Sequence, residues 1–348
     1  MDENIIRSLL ATLEEYHRLG IAEQIDYQKF YLYSIITHST AIEGSTVTEI
    51  ENQLLFDEGI AAKGRTMVEQ LMNLDLKAAY EEAMRMAAKH VPFSTEMLQS
   101  LSALVMKNTG SKYSTLSGEF DSSKGELRKV NVTAGVGGRS YLNFLKVPSR
   151  LADFCQNMNE RQKQLEDNND IIARYALSFD AHNLLVAIHP WVDGNGRMSR
   201  LVMNYVQMEY GLVPTKVLKD DRAEYIQALV DSRDQDSLEP FRDFMFRSHL
   251  RNLQAEITAY KQSMQDDVMI PATETQHVVK DVVKDVVKDI LAILKVRPES
   301  TAASIAEQVH LSSRQVQRIL ARLQKEGSIM RHGGRKEGYW EVETDKNK

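Results

Sequence analysis

Residues 189–200 constrain this chain more than any other segment, and they read His-Pro-Trp-Val-Asp-Gly-Asn-Gly-Arg-Met-Ser-Arg. Within twelve residues they supply a base, a carboxylate, two glycines, an amide and two guanidiniums. The glycines let main-chain N–H groups approach phosphate oxygens, because no Cβ stands in the way. This set of groups suits a nucleoside triphosphate together with its metal ion.

The stretch that begins at Asn195 has the spacing of a helix, so its free N–H groups and positive dipole end would face the phosphates. Arg197 and Arg200 are three residues apart and project from one helix face, where they could hold two phosphates bidentately. A plain turn between helices would also explain the Asp-Gly and Asn-Gly pairs. A turn requires neither the two arginines nor a histidine four residues before Asp193.

The motif resembles the signature of the Fic-domain enzymes, His-x-Phe-x-Asp/Glu-Gly-Asn-Gly-Arg-x-x-Arg, with Trp191 in place of the usual phenylalanine. Trp191 is expected to pack beneath the loop. The resemblance implies transfer of AMP from Mg-ATP to a hydroxyl group of a target protein, with pyrophosphate leaving. Gly194 favours this orientation of the nucleotide, because a relative with lysine at that place binds the nucleotide in reverse and acts as a kinase.

The resemblance also implies a role for each position of the site. His189 would be the general base that takes the proton of the attacking Tyr, Thr or Ser hydroxyl. Asp193 would hold Mg²⁺, which prefers oxygen ligands. The predicted nucleotide-binding residues are Gly194, Asn195, Gly196, Arg197, Arg200 and Tyr225.

Among these residues, the loop at 194–196 would surround the α- and β-phosphates. Arg197 would contact the β-phosphate, and Arg200 would contact the γ-phosphate. Tyr225 resembles a tyrosine that lines the nucleotide site in relatives, although a core tyrosine on an amphipathic helix fits its sequence nearly as well.

A second motif lies far upstream, where Ser39-Thr-Ala-Ile-Glu43-Gly44 fits the pattern of the Fic inhibitory helix, Ser/Thr-x-x-x-Glu-Gly/Asn. Alone the pattern is weak, since Glu43 could be a solvated acid at a helix end. Beside the first motif it implies that Glu43 pairs with Arg200, which the γ-phosphate needs. Some relatives of this type also remove AMP from the modified target, with the glutamate positioning a water, and that activity stays open here.

Residues 125–148 alternate polar and apolar side chains around a Gly-rich turn, which predicts a β-hairpin. The hairpin has the place of the Fic flap, which docks the target peptide by strand addition. Arg128 fits the Gly-x-x-Arg that opens this flap. A hairpin that only covers a core edge is the alternative. Residues 110–123 predict a loop.

Length and composition indicate a multidomain globular protein without a membrane partner. The 348 residues exceed one ordinary domain, and the single Cys155 excludes an internal disulfide and fits a reducing cytoplasm. The N-terminus has no signal-peptide pattern, and no apolar run approaches the length that spans a bilayer. The net charge of −6 gives the whole chain no nucleic-acid footprint. We therefore expect a cytoplasmic protein.

The spacing of apolar residues predicts a mainly α fold with an all-helical Fic core, a small β-hairpin flap, an N-terminal helical extension and a C-terminal winged helix-turn-helix. Helix spacing covers residues 3–18, 27–42, 66–90, 94–107, 147–164, 170–188, 195–210, 221–232 and 238–262. The expected domains are the N-terminal helical region with the inhibitory helix (1–95), the catalytic domain (96–250), a helical connector (251–289) and the winged helix (290–348).

The connector contains Val-Val-Lys-Asp three times within residues 278–289. This repeat predicts a helix with an apolar stripe, either as a contact between copies of the chain or as a recent duplication with little function. In the predicted winged helix, residues 295–348 hold 11 Lys and Arg against 7 Asp and Glu. The basic and polar residues of the third helix and wing are Arg314, Gln315, Gln317, Arg318, Arg322, Arg331, Arg335 and Lys336. They could contact DNA, and a protein contact is the alternative.

These features favour a protein adenylyltransferase with a built-in inhibitory helix. ATP would be its substrate, and Mg²⁺ its metal. Its partners would be a target protein bound along the flap, and DNA at the winged helix. The competing class is a DNA-binding regulator whose Fic core senses a ligand. Another nucleotide donor stays open, because the motif contacts phosphates and not the base.

Overall fold

A computed structural model describes residues 3–134, 138–166, 168–266, 290–301, 304–305, 308, 316, 319–320, 323–324, 328–332 and 339–342. The chain forms two compact units. The first comprises Met1–Val47 and Arg65–Gln262, and the second comprises Thr48–Gly64 and Ser263–Lys348.

Helices dominate the described residues, which confirms the mainly α prediction. They are α1 (Glu3–Arg18), α2 (Tyr27–Ile42), α3 (Glu49–Asp57), α4 (Met67–Ala87), α5 (Thr95–Val105), α6 (Val147–Gln164), α7 (Ile171–Ile188), α8 (Asn195–Glu209), α9 (Arg222–Asp234) and α10 (Glu239–Asp266). Each of the nine predicted helices is present, with ends that differ by a few residues. Caps fix several starts: Ser94 and Asp170 each accept a hydrogen bond from a backbone N–H of the first turn that follows.

Helix α3 was not predicted, although the sequence carries a signal for it. Thr48 and Glu51 form a capping box, in which the Thr48 side chain accepts from the Glu51 backbone N–H and the Glu51 side chain accepts from the Thr48 N–H. A second box at Thr66 and Glu69 opens α4. The short, weakly amphipathic α3 lacks the apolar period that marks the longer helices.

The prediction of a loop at 110–123 is wrong, and the hairpin predicted at 125–148 is present only as a short antiparallel contact. The loop expected at 110–123 contains an antiparallel hairpin, β1 (Lys112–Thr115) and β2 (Gly118–Asp121), with Tyr113 paired to Phe120. Their rings stack with centroids 5.0 Å apart. In the described part of residues 125–148, where a hairpin was predicted, Thr133 forms an antiparallel bridge with Ser140. The Tyr141 N–H donates to the Val132 carbonyl at 3.0 Å and the Ala134 N–H to the Arg139 carbonyl at 3.1 Å, although no longer strand forms.

The first unit is built around α7 and α8, which pack against each other along their lengths. Helix α7 has, by length and composition alone, the character of a membrane span, so the expectation that no apolar run approaches that length is wrong. Half of the segment is buried inside the protein, as in a core helix. It also carries the buried carboxylate of Asp180.

Asp180 ties three helices together. Its carboxylate accepts hydrogen bonds from Arg161 of α6 and from Nε and Nη2 of Arg242 of α10, the latter two at 2.6 Å. A buried carboxylate needs such partners, because water cannot solvate it there. The cluster fixes α6 and α10 against the helix that ends at the predicted catalytic histidine.

The second unit has its own small core, which consists of Ile290, Leu294, Ile305, Val316, Ile319, Leu320, Leu323, Ile329 and Trp340. Strands β3 (Ile329–His332) and β4 (Tyr339–Val342) pair in antiparallel fashion, which matches the predicted wing. Arg331 lies over the Trp340 ring at 4.8 Å. The repeat at 278–289 and the side chains of Arg314, Gln315, Gln317, Arg318, Arg322, Arg335 and Lys336 lie outside the described residues.

We predict that Asp180→Ala lowers the free energy of unfolding by about 3–5 kcal/mol, because it leaves two guanidiniums without their shared buried partner. Urea denaturation of the full chain measures this. Glu239→Ala is the matched control, since Glu239 also pairs with Arg242 but is half exposed, and it should cost under about 1 kcal/mol. Equal effects of the two substitutions would contradict the role given to Asp180.

Candidate active site

The His-Pro turn begins where α7 ends. His189 has a left-handed backbone with φ of 52°, and its N–H donates to the Leu185 carbonyl at 3.0 Å. Trp191 is fully buried beneath the loop, as expected, and its indole N–H donates to the Gly125 carbonyl at 3.0 Å. A left-handed conformation is rare for a residue with a side chain, so the buried indole and the end of α7 together hold His189 in place.

The glycine loop is closed by Asn195. Its side-chain amide donates to the Trp191 carbonyl at 2.9 Å, and its side-chain oxygen accepts from the Trp191 N–H at 3.1 Å. The amide therefore shapes the loop. Asp193 accepts from the Gly194 N–H at 2.6 Å, and its side chain is 66% exposed. The carboxylate thus stands at the surface beside the start of α8.

Gly194 and Gly196 are needed for different reasons. Gly194 has φ of 78°, and a Cβ there would lie 2.7 Å from the Met106 sulfur. A Cβ at Gly196 would collide with the Glu43 carboxylate and come within 3.2 Å of Arg200 Nη1. Space above the first turn of α8 therefore exists only because residue 196 has no side chain.

The two arginines of the motif have different surroundings. Arg197 is buried against the end of α5, where its guanidinium donates to the Val105 carbonyl at 3.3 Å and to the Met106 sulfur at 3.2 Å. Its nearest charged neighbour in the loop is Asp193, at 4.0 Å. The structure thus places Arg197 as a link between α8 and α5 as well as beside the loop.

Arg200 meets the upstream motif directly. Its Nη2 atom lies 2.5 Å from Oε1 of Glu43, which is the C-terminal cap residue of α2. The Arg200 side chain is only 3% exposed, and the Glu43 side chain is 36% exposed. Ser39 adds two contacts, accepting from Nε at 2.8 Å through its hydroxyl and from Nη2 at 3.0 Å through its carbonyl. The two motifs, 157 residues apart, therefore form one site.

The ionisation of this pair follows from its position. Burial alone would raise the pKa of Glu43, but the guanidiniums of Arg200, Arg197 and Arg222 together outweigh burial and lower that pKa. Burial alone would lower the pKa of Arg200, and the Glu43 carboxylate helps to raise it instead. Both groups are charged at neutral pH, so the contact is an ion pair.

The predicted base, His189, lies under a second ring. Tyr141 stacks on the imidazole with ring centroids 3.7 Å apart and an interplanar angle of 16°. Burial lowers the pKa of His189 to about 4. The imidazole is therefore neutral at pH 7 and has a lone pair that can accept a proton. The motif at 189–200 gave no indication of Tyr141, because Tyr141 lies in the segment at 125–148, far from the motif in the sequence.

Arg128 holds the base of the segment at 125–148. Its guanidinium is buried and donates to three carbonyls: His189 at 2.8 Å, Val130 at 2.8 Å and Leu142 at 2.5 Å. These carbonyls lie on both arms of the segment and on the catalytic turn. The Arg128 side chain thus cross-links the base of the segment, and backbone hydrogen bonds from Tyr141 to Val132 and from Ala134 to Arg139 join the arms further out.

Tyr225 lies behind Arg200. It is buried, and its hydroxyl is 3.2 Å from Arg200 Nη1 and 2.9 Å from His182 Nε2. Tyr225 was predicted as a nucleotide-binding residue. His182, which lies on α7 seven residues before His189, was not predicted. Spacing on α7 could have indicated it, since seven residues are about two helical turns and share a face.

The arrangement defines a class of protein. Residues 92–207 match the Fic/DOC family, and residues 285–330 match the winged helix-turn-helix DNA-binding family. Residues 92–207 therefore resemble a Fic domain, and residues 285–330 resemble a winged helix-turn-helix.

Known proteins with similar sequences and folds agree with this class. The chain is 28% identical over 244 residues to the protein adenylyltransferase Fic of Drosophila grimshawi, covering 69% of this chain and 46% of that protein. It spans about half the length of the curated relatives it matches. The Caenorhabditis elegans Fic-1 structure shares the fold with a TM-score of 0.58 at 22% identity, covering 74% of this chain and 72% of that one. A Fic family protein from Desulfovibrio desulfuricans G20 has a TM-score of 0.54 at 18% identity, covering 100% and 98%.

We predict that Gly194→Ala costs more stability than Gly211→Ala, because both glycines have positive φ but only Gly194 has a close neighbour. The conformational cost alone is about 1–2 kcal/mol, and the contact with Met106 adds to it. Urea denaturation of both variants gives the difference. Adding Met106→Ala to Gly194→Ala should reduce the steric part. Equal costs at the two glycines would show that Met106 moves aside freely.

Proposed function

We propose that this protein transfers AMP from ATP to a hydroxyl group of a target protein, and that Glu43 restrains the reaction. The observation that carries the proposal is the contact of Glu43 with Arg200 at 2.5 Å. Arg200 lies on α8, whose first turn follows directly on the glycine loop. The curated relatives are named protein adenylyltransferases, which supports the reaction type.

The triphosphate would lie over the first turn of α8. Free N–H groups and the positive end of the helix dipole favour anions there, and Gly196 leaves the necessary space. Arg200 would hold the γ-phosphate through its guanidinium. Glu43 now occupies part of that guanidinium and adds a negative charge beside the site. A bound triphosphate would therefore compete with this carboxylate for one cation.

His189 supports the proton transfer. The attacking hydroxyl oxygen would form a bond to the α-phosphorus, its proton would pass to the imidazole, and the bond to the β-phosphate oxygen would break to release pyrophosphate. The free imidazole, with a pKa of about 4, is a weak base. The negative charge of a bound triphosphate would favour the imidazolium and raise that pKa towards the working pH.

Asp193 fits a magnesium ion that arrives with the nucleotide. Its carboxylate is 66% exposed beside the loop, and Mg²⁺ commonly binds one or two carboxylates together with phosphates and water. The described residues contain no group of three or more metal-binding side chains, which agrees with an ion held largely by the nucleotide. When bound, Mg²⁺ would neutralise charge on the phosphates.

The flap segment would present the target. Arg128 fixes both of its arms to the catalytic turn, so a peptide that pairs with the flap would be held at a set distance from His189. The winged helix supports a second contact, because its family match is to a DNA-binding domain. DNA binding, contacts between copies of the chain, removal of AMP, the choice of ATP over other donors and a cytoplasmic location stay predictions.

Glu43→Gly should raise labelling of the protein itself and of targets on the order of tenfold, because the guanidinium becomes free for the γ-phosphate. Partial exposure of Glu43 to solvent weakens the pair and limits the gain. Incubation with labelled ATP, Mg²⁺ and lysate measures the change. Arg200→Ala in the same background should cancel it. A fall in labelling on Glu43→Gly would contradict the restraint and would instead indicate that Glu43 takes part in removal of AMP.

His189→Ala in the Glu43→Gly background should abolish labelling and leave ATP affinity within about twofold of its parent, since the base acts on the incoming hydroxyl. Labelling and calorimetric ATP binding are measured on the same preparation. Near-normal labelling would remove His189 from the mechanism. A large loss of ATP affinity would show that its main role is in binding.

A further inference from the structure

The contacts of Arg200 divide into two groups by origin. Three hydrogen bonds come from the segment that ends α2: the Ser39 hydroxyl on Nε, and the Ser39 carbonyl and Glu43 carboxylate on Nη2. One comes from elsewhere, the Tyr225 hydroxyl on Nη1 at 3.2 Å. The Nη1 arm also borders the space over Gly196. Tyr225 therefore holds the arm that faces the proposed phosphate site, and it does so independently of the restraining helix.

The direction of each hydrogen bond is assigned from the donors and acceptors that are present. A guanidinium only donates, so the Tyr225 oxygen accepts from Arg200. Among the described residues, His182 Nε2 is the one acceptor within hydrogen-bond distance of that hydroxyl, at 2.9 Å, so the Tyr225 proton is assigned to it. His182 is therefore neutral with its proton on Nδ1. Burial supports this state, since it lowers the pKa of His182 well below the usual value and raises the pKa of Tyr225.

The surroundings hold the two rings rigidly. His182 stacks on Phe241 with ring centroids 4.8 Å apart. The ring centroid of Tyr225 lies 6.1 Å from that of Phe241 and 6.2 Å from that of Phe244. These residues come from α7, α9 and α10 of the same unit. His182 Nδ1 is buried and has no hydrogen-bond partner among the described residues. A buried donor without a partner costs free energy, so a histidine here is a poor choice for stability alone.

We propose that Tyr225 and His182 are positioning residues that keep the Nη1 arm of Arg200 directed at the γ-phosphate when Glu43 withdraws. This proposal rests on the proposed function, in which Arg200 binds the γ-phosphate. Its consequence is selectivity for nucleotides: the pair should strengthen binding of ATP and leave ADP, which has no γ-phosphate, unaffected.

The test uses the full chain with Glu43→Gly and compares its dissociation constants for ATP and ADP by calorimetry. Tyr225→Phe removes the hydroxyl and keeps the ring, so ATP should bind about tenfold more weakly. ADP should change by less than about twofold. With labelled ATP, KM should rise in step with the loss of affinity while kcat changes little. A role in stability alone would not alter the ratio of the two affinities.

Two further variants separate positioning from packing. His182→Gln places an amide oxygen near the lost Nε2 and should retain much of the preference for ATP, whereas His182→Leu has no acceptor and should behave like Tyr225→Phe. Tyr175→Phe is the matched control. Tyr175 is a fully buried tyrosine whose hydroxyl donates to the Val213 carbonyl at 3.0 Å, and its loss should leave both affinities unchanged.

The outcomes distinguish the two proposals. If Arg200→Ala in the Glu43→Gly chain leaves the ATP-to-ADP ratio unchanged, Arg200 does not bind the γ-phosphate, and the proposed function and the positioning role both fail. If Arg200→Ala lowers the ratio but Tyr225→Phe does not, the positioning role alone is overturned. An equal loss of ATP and ADP affinity in Tyr225→Phe would also overturn it.

Discussion

The structure of the site depends on one buried positive charge. Arg200 is almost completely removed from water, and a guanidinium in that position is tolerable only when its N–H groups have partners. Ser39 on α2, Glu43 at the C-terminal cap of α2 and Tyr225 on α9 supply them. The positions of α2 and α9 are therefore not independent features, because each supplies hydrogen-bond partners to the same cation.

The His-Pro turn that contains His189 is likewise held by contacts with buried side chains, although its own groups are neutral. His189 takes a strained backbone conformation, and its carbonyl is held by Arg128 from the flap segment. The ring itself lies under Tyr141. In the proposed reaction His189 would meet both a nucleotide and the hydroxyl of a target protein, which requires a fixed ring. Here the fixation comes from a segment that also borders the proposed target site, so the ring and the peptide-docking edge share one support.

The helices and the core motif could be predicted from the sequence because their signals are local. Apolar spacing marks the helices, and residues 189–200 carry their chemistry in order. The pairing of Glu43 with Arg200 came only from the resemblance to a family, since no local pattern links residues 157 apart. Tyr141, His182 and the role of Arg128 were not predicted, because each depends on where a distant backbone lies. The β1–β2 hairpin was not predicted, even though Tyr113 on β1 and Phe120 on β2 form a cross-strand aromatic pair. Its short length and polar residues resemble a loop.

The absence of a side chain at Gly196 limits the amino-acid substitutions that this site can accept. The volume that a Cβ would fill is occupied by the Glu43 carboxylate, and the proposed phosphates would need the same volume. In the proposed function, restraint and nucleotide binding would therefore use the same volume in alternation. A larger residue at position 196 would remove both together, whereas a change at position 43 would remove the restraint alone.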